Sequence, residues 1–401
     1  MNTHEKLHIL FVDDEQRVLD GLRRTLRPLA AEWGLRFVDS GEAALASLAE
    51  HPADVVVSDM RMPGMSGAQL LAKVRALYPQ TIRIALSGQA GEDEVLGSVG
   101  PVQQFLMKPC EPDSLRATIR RLLCLRAALN KPTLRAIAGR VEKLPAAPES
   151  YHRLIEVLDD PETSVDLVGA VVAQDPAMTA KCLQLVNSAF FGVSRPARTA
   201  TEAVSRLGLV TIRALALVVR VFESIPKAAL PGLTPEAIWK RSCHAATRAR
   251  TVSESLRLAD DVQDTAYTAG MLSEIGRLAL AADDPNLMGA LLDEARRRNL
   301  PLAELELESL SATQAQVGAY LLGLWGFPEP CVNAVAYHEH PADSGATTPD
   351  AITALHIARA FAQGDPPESR AWLHNLDADY IETIGAADAA STFLARSGNA
   401  A

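Results

Sequence analysis

The residues of this 401-residue chain whose types and spacing suit joint chemistry gather first in its opening quarter. Asp13 and Asp14 follow the apolar run LHILFV, Asp59 follows ADVVVS, Ser87 closes TIRIALS, and Lys108 follows QQFLM. Three carboxylates brought together would repel one another and raise each other's pKa. A hard divalent cation such as Mg2+ relieves that repulsion, and one or two carboxylates plus water are its usual ligands. With the charge neutralised, one carboxylate can attack a phosphoryl group and form an acyl phosphate, whose oxygens Ser87 and Lys108 would contact.

For these side chains to meet, the apolar runs at 7–12, 35–39, 53–58, 81–87 and 103–107 must be strands of one sheet. Between them lie helical patterns such as EQRVLDGLRRTL, in which Val18, Leu19, Leu22 and Leu26 share a face. Runs without polar alternation indicate strands buried on both sides, hence an α/β layer with helices on both faces of a parallel sheet. In such sheets the working crevice lies beyond the carboxyl ends of the strands, where the five residues fall.

The segments DDE, VVVSDMRMPGMSG, LSG and FLMKP, in this order, resemble the receiver domain of two-component response regulators over about residues 5–125. The resemblance implies a five-stranded, flavodoxin-like parallel sheet. It implies that Asp59 is the phosphoacceptor, that Asp13 and Asp14 hold Mg2+ beside it, and that Ser87 and Lys108 sense the phosphate. It also implies a switching aromatic residue at Phe105, a cis bond between Lys108 and Pro109, and a sensor histidine kinase as phosphodonor.

Downstream, strand signals nearly vanish. The pattern of EPDSLRATIRRLLCLRAALN runs on past the receiver, and the expected division is a receiver at 1–125, a helical linker at 126–139, an all-α domain at 140–362 and a helical extension at 363–401. Thr199 with Glu202 forms a capping box. TEAVSRLGLVTIRALAL has helix–turn–helix spacing, but Arg213 and Arg220 stand among apolar residues, whereas a recognition helix needs several polar side chains. It is read as two packed core helices.

LPAAPESYHRLIEVLDDPETSVDLVGAVVAQDPAMTAKCLQLVNSAFFG and AVSRLGL resemble the HDOD domain, a relative of the HD-type phosphohydrolases. The resemblance implies an HD-like helical fold, in which the enzymes hold metal with a His, a His-Asp pair and a distant Asp. His244 matches the first histidine. Ser273 and Glu274, in AGMLSEIGRLAL, stand where the pair would be, and Arg359 stands where the distant Asp would be. Gln314 occupies a position that is often histidine in relatives, and AYHEHPADSG around His338 resembles the HHE stretch of the HD-GYP phosphodiesterases without its GYP motif. Serine is a poor ligand for a transition metal, and arginine brings a permanent positive charge. No cofactor is therefore expected in this domain. Arg359 is expected to pair with Glu274, or else Glu274 bonds Arg277 on its own helix surface. His244, His338 and His340 could in principle hold Zn2+; the alternative makes His244 a hydrogen-bonded core residue and His338-Glu339-His340 a solvated loop end.

Composition sets outer bounds. Net charge is −10, and residues 1–125 hold 14 Lys and Arg against 16 Asp and Glu, so most of the acidic excess lies downstream. Phosphate-binding surfaces need clustered cations, so no direct nucleic-acid binding is expected. Five scattered cysteines without a CxxC pair suit reduced thiols. With no secretory or membrane-spanning stretch, a cytoplasmic location away from membranes is expected. The function expected is a phosphorylation-controlled response regulator whose non-catalytic HDOD domain binds a downstream signalling protein. A homodimer is an option, and the alternative is a cyclic-dinucleotide phosphodiesterase with an atypical metal site.

Overall fold

The computed structural model describes residues 6–87, 102–108, 112–128, 135, 137–139, 148–160, 162–187, 196–217, 235–360 and 376–398. The chain divides into two compact units, the first chiefly residues 1–142 and the second chiefly the remainder.

The first unit holds strands β1 (Leu7–Val12), β2 (Trp33–Val38), β3 (Val55–Asp59), β4 (Ile82–Ser87) and β5 (Gln104–Met107). They form one sheet in the order β2-β1-β3-β4-β5, all pairs parallel. Helices α1 (Gln16–Leu26), α2 (Gly41–Glu50), α3 (Gly67–Leu77) and α4 (Pro112–Ala128) accompany it. Ile9, Leu10 and Phe11 of β1 and Val55, Val56 and Val57 of β3 have no exposed surface, which is why those runs read as unbroken apolar sequence. At the edge, β2 is buried only at Trp33 and its sequence is correspondingly mixed. It begins two residues before the expected 35–39 because Trp33 and Gly34 pair with Leu7 and His8.

The register matters for the site. Val12 pairs with Ser58, Asp59 with Leu86, and Ser87 with Met107, so four strands end level. The chain leaves β1 for β2 on one side and returns to β3 on the other, and such a reversal opens a crevice at the strand ends. Ser66 caps the N-terminus of α3 with a reciprocal capping box, accepting from the Gln69 amide at 3.3 Å while Gln69 Oε1 accepts from the Ser66 amide at 3.1 Å.

The second unit holds α5 (Pro148–Asp159), α6 (Val165–Val172), α7 (Pro176–Val186), α8 (Ala200–Leu217), α9 (Pro235–Ser255), α10 (Asp260–Leu272) and α11 (Ile275–Asp283). After them come α12 (Pro285–Arg298), α13 (Leu302–Leu310), α14 (Gln314–Leu324), α15 (Glu329–Tyr337), α16 (Ala351–Ala360), α17 (Ala378–Thr383) and α18 (Ala387–Gly398). Among its described residues there is no strand. Helix α9 packs along α10 and α16, and α10 packs on α15 as well. At Thr199 the hydroxyl caps α8 by accepting from the Glu202 amide at 3.2 Å, while Glu202 Oε2 accepts from the Arg198 amide at 3.0 Å and not from that of Thr199. Within α8, Gly208 has φ 77° and breaks the helical path, a conformation that costs glycine little.

The last described stretch, 376–398, is tied down. The Asp377 amide donates to His356 Nε2 at 2.9 Å, and Tyr380 Oη shares a 2.9 Å hydrogen bond with Thr353 Oγ1 on α16. Cys182 on α7 and Cys331 on α15 are buried, and burial pushes both thiols up to about 12. No described helix is long and apolar enough to cross a membrane.

Candidate functional site

At the level strand ends of the first unit, Asp13, Asp14 and Asp59 each place a carboxylate oxygen within 4.8 Å of the others. Asp13 is held from both sides: its amide donates to Val38 O at 3.2 Å, and its Oδ1 accepts from the Glu15 amide at 3.0 Å. Lys108 Nζ, just past β5, bridges the cluster at 2.6 Å from Asp13 Oδ2 and 2.8 Å from Asp59 Oδ1. Burial raises the Asp59 carboxyl above its ordinary value, and Asp13 adds to the rise, while Lys108 opposes both. Burial alone would lower Lys108, but its bonds to Asp13 and Asp59 outweigh it and hold the ammonium above its usual range. The three hard oxygen donors suit a small divalent cation, which would take over the charge balance now supplied by one lysine.

Two further expected residues are placed only by their backbone. Ser87 is the last residue of β4 and Phe105 lies in β5; their side chains, and Pro109, fall outside the described residues.

The end of β3 leaves no room for a side chain on α3. A Cβ on Gly67 would lie 1.9 Å from Asp59 O, and the Gly67 amide already donates to Met60 O at 3.1 Å. Gly67→Ala is expected to push α3 off the strand end and cost about 2 kcal/mol, read as a lower urea midpoint.

A different polar centre lies inside the second unit. Glu274, between α10 and α11, has no exposed surface and is surrounded by guanidinium groups. Its carboxylate meets Arg277 Nη1 at 2.5 Å, Arg359 Nη2 at 2.6 Å and Arg241 Nη2 at 3.3 Å, from α11, α16 and α9. Arg277 Nη2 is 3.5 Å from Glu306 Oε1 on α13, and Glu306 Oε2 accepts from the Gln314 amide at 2.8 Å. Gln314 Nε2 donates to Glu339 Oε1 at 3.4 Å. Ser273 Oγ donates to Gly270 O at 2.8 Å and accepts from Arg359 Nη1 at 3.2 Å. The approach of α11 to α14 depends on Gly276, where a Cβ would lie 1.9 Å from Gln314 O.

Burial alone would raise the Glu274 carboxyl, but Arg277, Arg359 and Arg241 together hold it well below the usual carboxylate range. Burial also pushes Glu306 up to about 7, against Arg277 and with help from Glu339. His338 goes the other way, down to about 4 through burial. The folded chain thus keeps a proton on Glu306 that the unfolded chain releases near the ordinary carboxyl value of 4.5, so this group's stabilisation is lost as pH rises through about 7. For His338 the unfolded chain binds the proton more tightly, and its contribution is lost as pH falls from 6.5 through about 4. Glu306→Gln is therefore expected to gain stability relative to the parent at pH 8 compared with pH 5, checked by thermal unfolding at the two pH values.

Both contacts expected for Glu274 are present together, but Arg277 meets it in the interior and not on a helix surface. His244 is exposed, contrary to the expected core position. The buried stripe of α9 runs through Ile238, Ser242, Ala245, Ala246 and Ala249, and Arg241 reaches the centre one turn earlier. The expected solvated end at 338–340 is also corrected: His338 and Glu339 are buried and only His340 is exposed. His338 Nδ1 donates to Val335 O at 2.8 Å, and its own carbonyl accepts from His356 Nδ1 at 2.7 Å, which holds the turn inward. Among the described residues, the acidic crevice is the one group of three or more His, Cys, Asp or Glu close enough to hold a metal ion. Arg241 and Glu306 carry no expectation from the sequence, and Glu339 was expected only in a solvated loop end.

Residues 9–120 match the response regulator receiver domain and residues 144–341 match the HDOD domain. The hydrogenase transcriptional regulatory protein HoxA of Cupriavidus necator is 32% identical over 182 residues, covering 41% of this chain and 37% of that protein. The transcriptional regulatory protein ZraR of Escherichia coli K12 is 24% identical over 225 residues, half of each chain. The chain thus spans about half or less of the length of these curated relatives. Among solved structures, the signal receiver domain of an HD domain-containing protein from Pseudomonas fluorescens Pf-5 is 30% identical, covering 31% of this chain and 99% of that one, with a TM-score of 0.30. The MmoQ response regulator from Methylococcus capsulatus is 23% identical, covering 61% and 98%, with a TM-score of 0.46. With a receiver match over the five-stranded sheet and an HDOD match over the helices that follow, the chain belongs to the two-component response regulators that join these two domains.

Proposed function

We propose that Asp59 accepts a phosphoryl group from a sensor histidine kinase, with Mg2+ held by Asp13, Asp14 and Asp59, and that the HDOD domain is a non-catalytic output that binds another signalling protein. The observation that carries the receiver half is the crevice itself, with three carboxylates at the strand ends and Lys108 bridging two of them. Bound there, Mg2+ supplies the positive charge that a transferring phosphoryl group needs. An Asp59 carboxylate oxygen bonds to phosphorus as the bond from phosphorus to the donor nitrogen breaks, leaving that electron pair on the imidazole of the kinase. Lys108 exchanges its contact with Asp59 for one with a phosphoryl oxygen, Ser87 takes another, and Phe105 is the switching residue. Such a new charge biases a receiver between two arrangements.

For the HDOD half, the three guanidinium groups around Glu274 support an output without hydrolysis, since they meet its carboxylate where a metal-holding pair would need it free. Residues 126–401 carry 25 Lys and Arg against 33 Asp and Glu, which favours a protein partner over nucleic acid. The domain limits proposed are 1–125 and 140–362, with a helical linker between them and a helical extension after. The setting proposed is the cytoplasm.

The test is labelling of the full chain with acetyl phosphate and Mg2+. A phosphoryl group cleaved by alkali or hydroxylamine, approaching one per chain and not formed when a chelator is present from the start, is expected; a chain that stays unlabelled refutes the receiver reading. Incubation of the same protein with cyclic dinucleotides and Mn2+ should give no turnover. Hydrolysis that depends on His244 would replace the output reading with that of an HD-type phosphodiesterase.

A further inference from the structure

Arg83 is the second residue of β4 and is 1% exposed. A buried guanidinium needs acceptors for its N–H groups, so its partners identify what it is there to hold. Nη1 donates to Thr81 O at 2.7 Å and to Pro79 O at 3.4 Å, both in the turn just before the strand. Nη2 donates to Gly139 O at 2.6 Å, 56 residues further along the chain. Gly139 belongs to neither the sheet nor α4; it lies in the short helical stretch 137–139 that leads toward the HDOD domain.

Packing gives a second and independent sign. A Cβ on Gly139 would sit 1.7 Å from Pro79 O, so the backbone there lies directly on the turn before β4. Its neighbour Ala138 is also buried. Residue 139 is thus held twice, by its carbonyl on Arg83 and by its bare Cα against Pro79. A plain connecting helix requires neither a glycine at this point nor a charge sunk in the adjacent sheet.

The strand that carries Arg83 also reaches the acidic crevice, because Ser87 is its last residue. Four residues of extended chain span about 13 Å. Arg83 is fixed laterally by Gln103, whose side-chain oxygen accepts from the Arg83 amide at 2.9 Å and whose amide donates to Arg83 O at 3.0 Å. At 2.6 Å the bond to Gly139 is already at the short end of the charge-assisted range, so displacement of β4 lengthens it.

We propose that Arg83 is a latch that clamps residues 137–139 to the receiver, and that it is released when a phosphoryl group on Asp59 draws Ser87 and β4 toward the crevice. The release step rests on the receiver reading given above; the clamp does not.

Amide exchange over 135–142 tests both parts in the full chain, for the parent, Arg83→Met, Gly139→Ala and Asp59→Asn, each with and without acetyl phosphate and Mg2+. Asp59 labelling is measured on the same samples. Arg83→Met and Gly139→Ala are expected to speed exchange at 137–139 by about tenfold or more without any phosphodonor, as loss of a hydrogen bond from a charged group would. Labelled parent protein should shift in the same direction, and Asp59→Asn should not respond. Exchange in both variants equal to the parent overturns the clamp. A parent that labels fully yet shows no change overturns the release step and leaves the receiver reading standing, whereas a parent that does not label overturns the release step and that reading together. If Arg83→Met loses its sheet, Gly139→Ala decides the clamp, since it alters no side chain of the receiver core.

Discussion

Glu274→Gln is expected to lower the unfolding free energy of the HDOD domain by about 3–5 kcal/mol, the usual cost of leaving a buried charge without its partner. Glutamine keeps the size of the side chain and one oxygen acceptor, but removes the negative charge that Arg241, Arg277 and Arg359 share. Three guanidinium groups, those of Arg277 and Arg359 buried, would then lie close together with their shared anion gone. A domain with about 5–15 kcal/mol of total stability approaches its unfolding threshold under such a loss. The contrast that identifies charge as the cause is the double replacement Glu274→Gln with Arg359→Gln. It removes one cation along with the anion and should recover part of the loss, measured by urea unfolding followed by helix content. A single variant within about 0.5 kcal/mol of the parent would show that the ion cluster contributes little, as many surface pairs do.

Asp59→Asn should take up no phosphoryl group from acetyl phosphate under conditions where the parent approaches one per chain. An amide oxygen carries no charge with which to attack phosphorus, and neither Asp13 nor Asp14 is expected to substitute. Asp13 is already engaged by the Glu15 amide and Lys108, and Asp14 is exposed beside the crevice. Stability should move in a different direction from labelling. The Asp59 carboxyl is raised by burial, so removing its charge relieves a desolvated anion, while Lys108 keeps its 2.6 Å contact with Asp13. Asp59→Asn is thus expected to be no less stable than the parent and yet inert to the phosphodonor. Labelling that survives in Asp59→Asn would place the acceptor elsewhere.

The receiver crevice was legible in the sequence because each of its residues follows a strand directly. Once LHILFV, ADVVVS and QQFLM are read as parallel strands, the positions of Asp13, Asp59 and Lys108 follow from sheet geometry alone. The strand limits shifted by one or two residues, as at Trp33, where pairing with Leu7 extends β2 beyond its apolar part. The HDOD interior was less legible. Helical periodicity assigns charged residues to the wet face, so Arg277 was read as a surface neighbour of Glu274 and not as a buried one. What places it inside is the meeting of α9, α11, α13 and α16, and no local pattern encodes which distant helices converge. His244 misled for the same reason, since its place in the chain fits a histidine ligand while the buried stripe of α9 passes beside it. Gly139 carried no expectation from the sequence; its use depends on Pro79, which is 60 positions away.

The two sequestered sulfur atoms of α7 and α15 give the HDOD domain a built-in chemical clock. Alkylation needs a thiolate, and neither Cys182 nor Cys331 offers one to solvent while the helices stay closed. Peptides carrying these positions should therefore acquire an iodoacetamide adduct only as fast as the helices part, so mass spectrometry can follow opening in the native chain without an added dye.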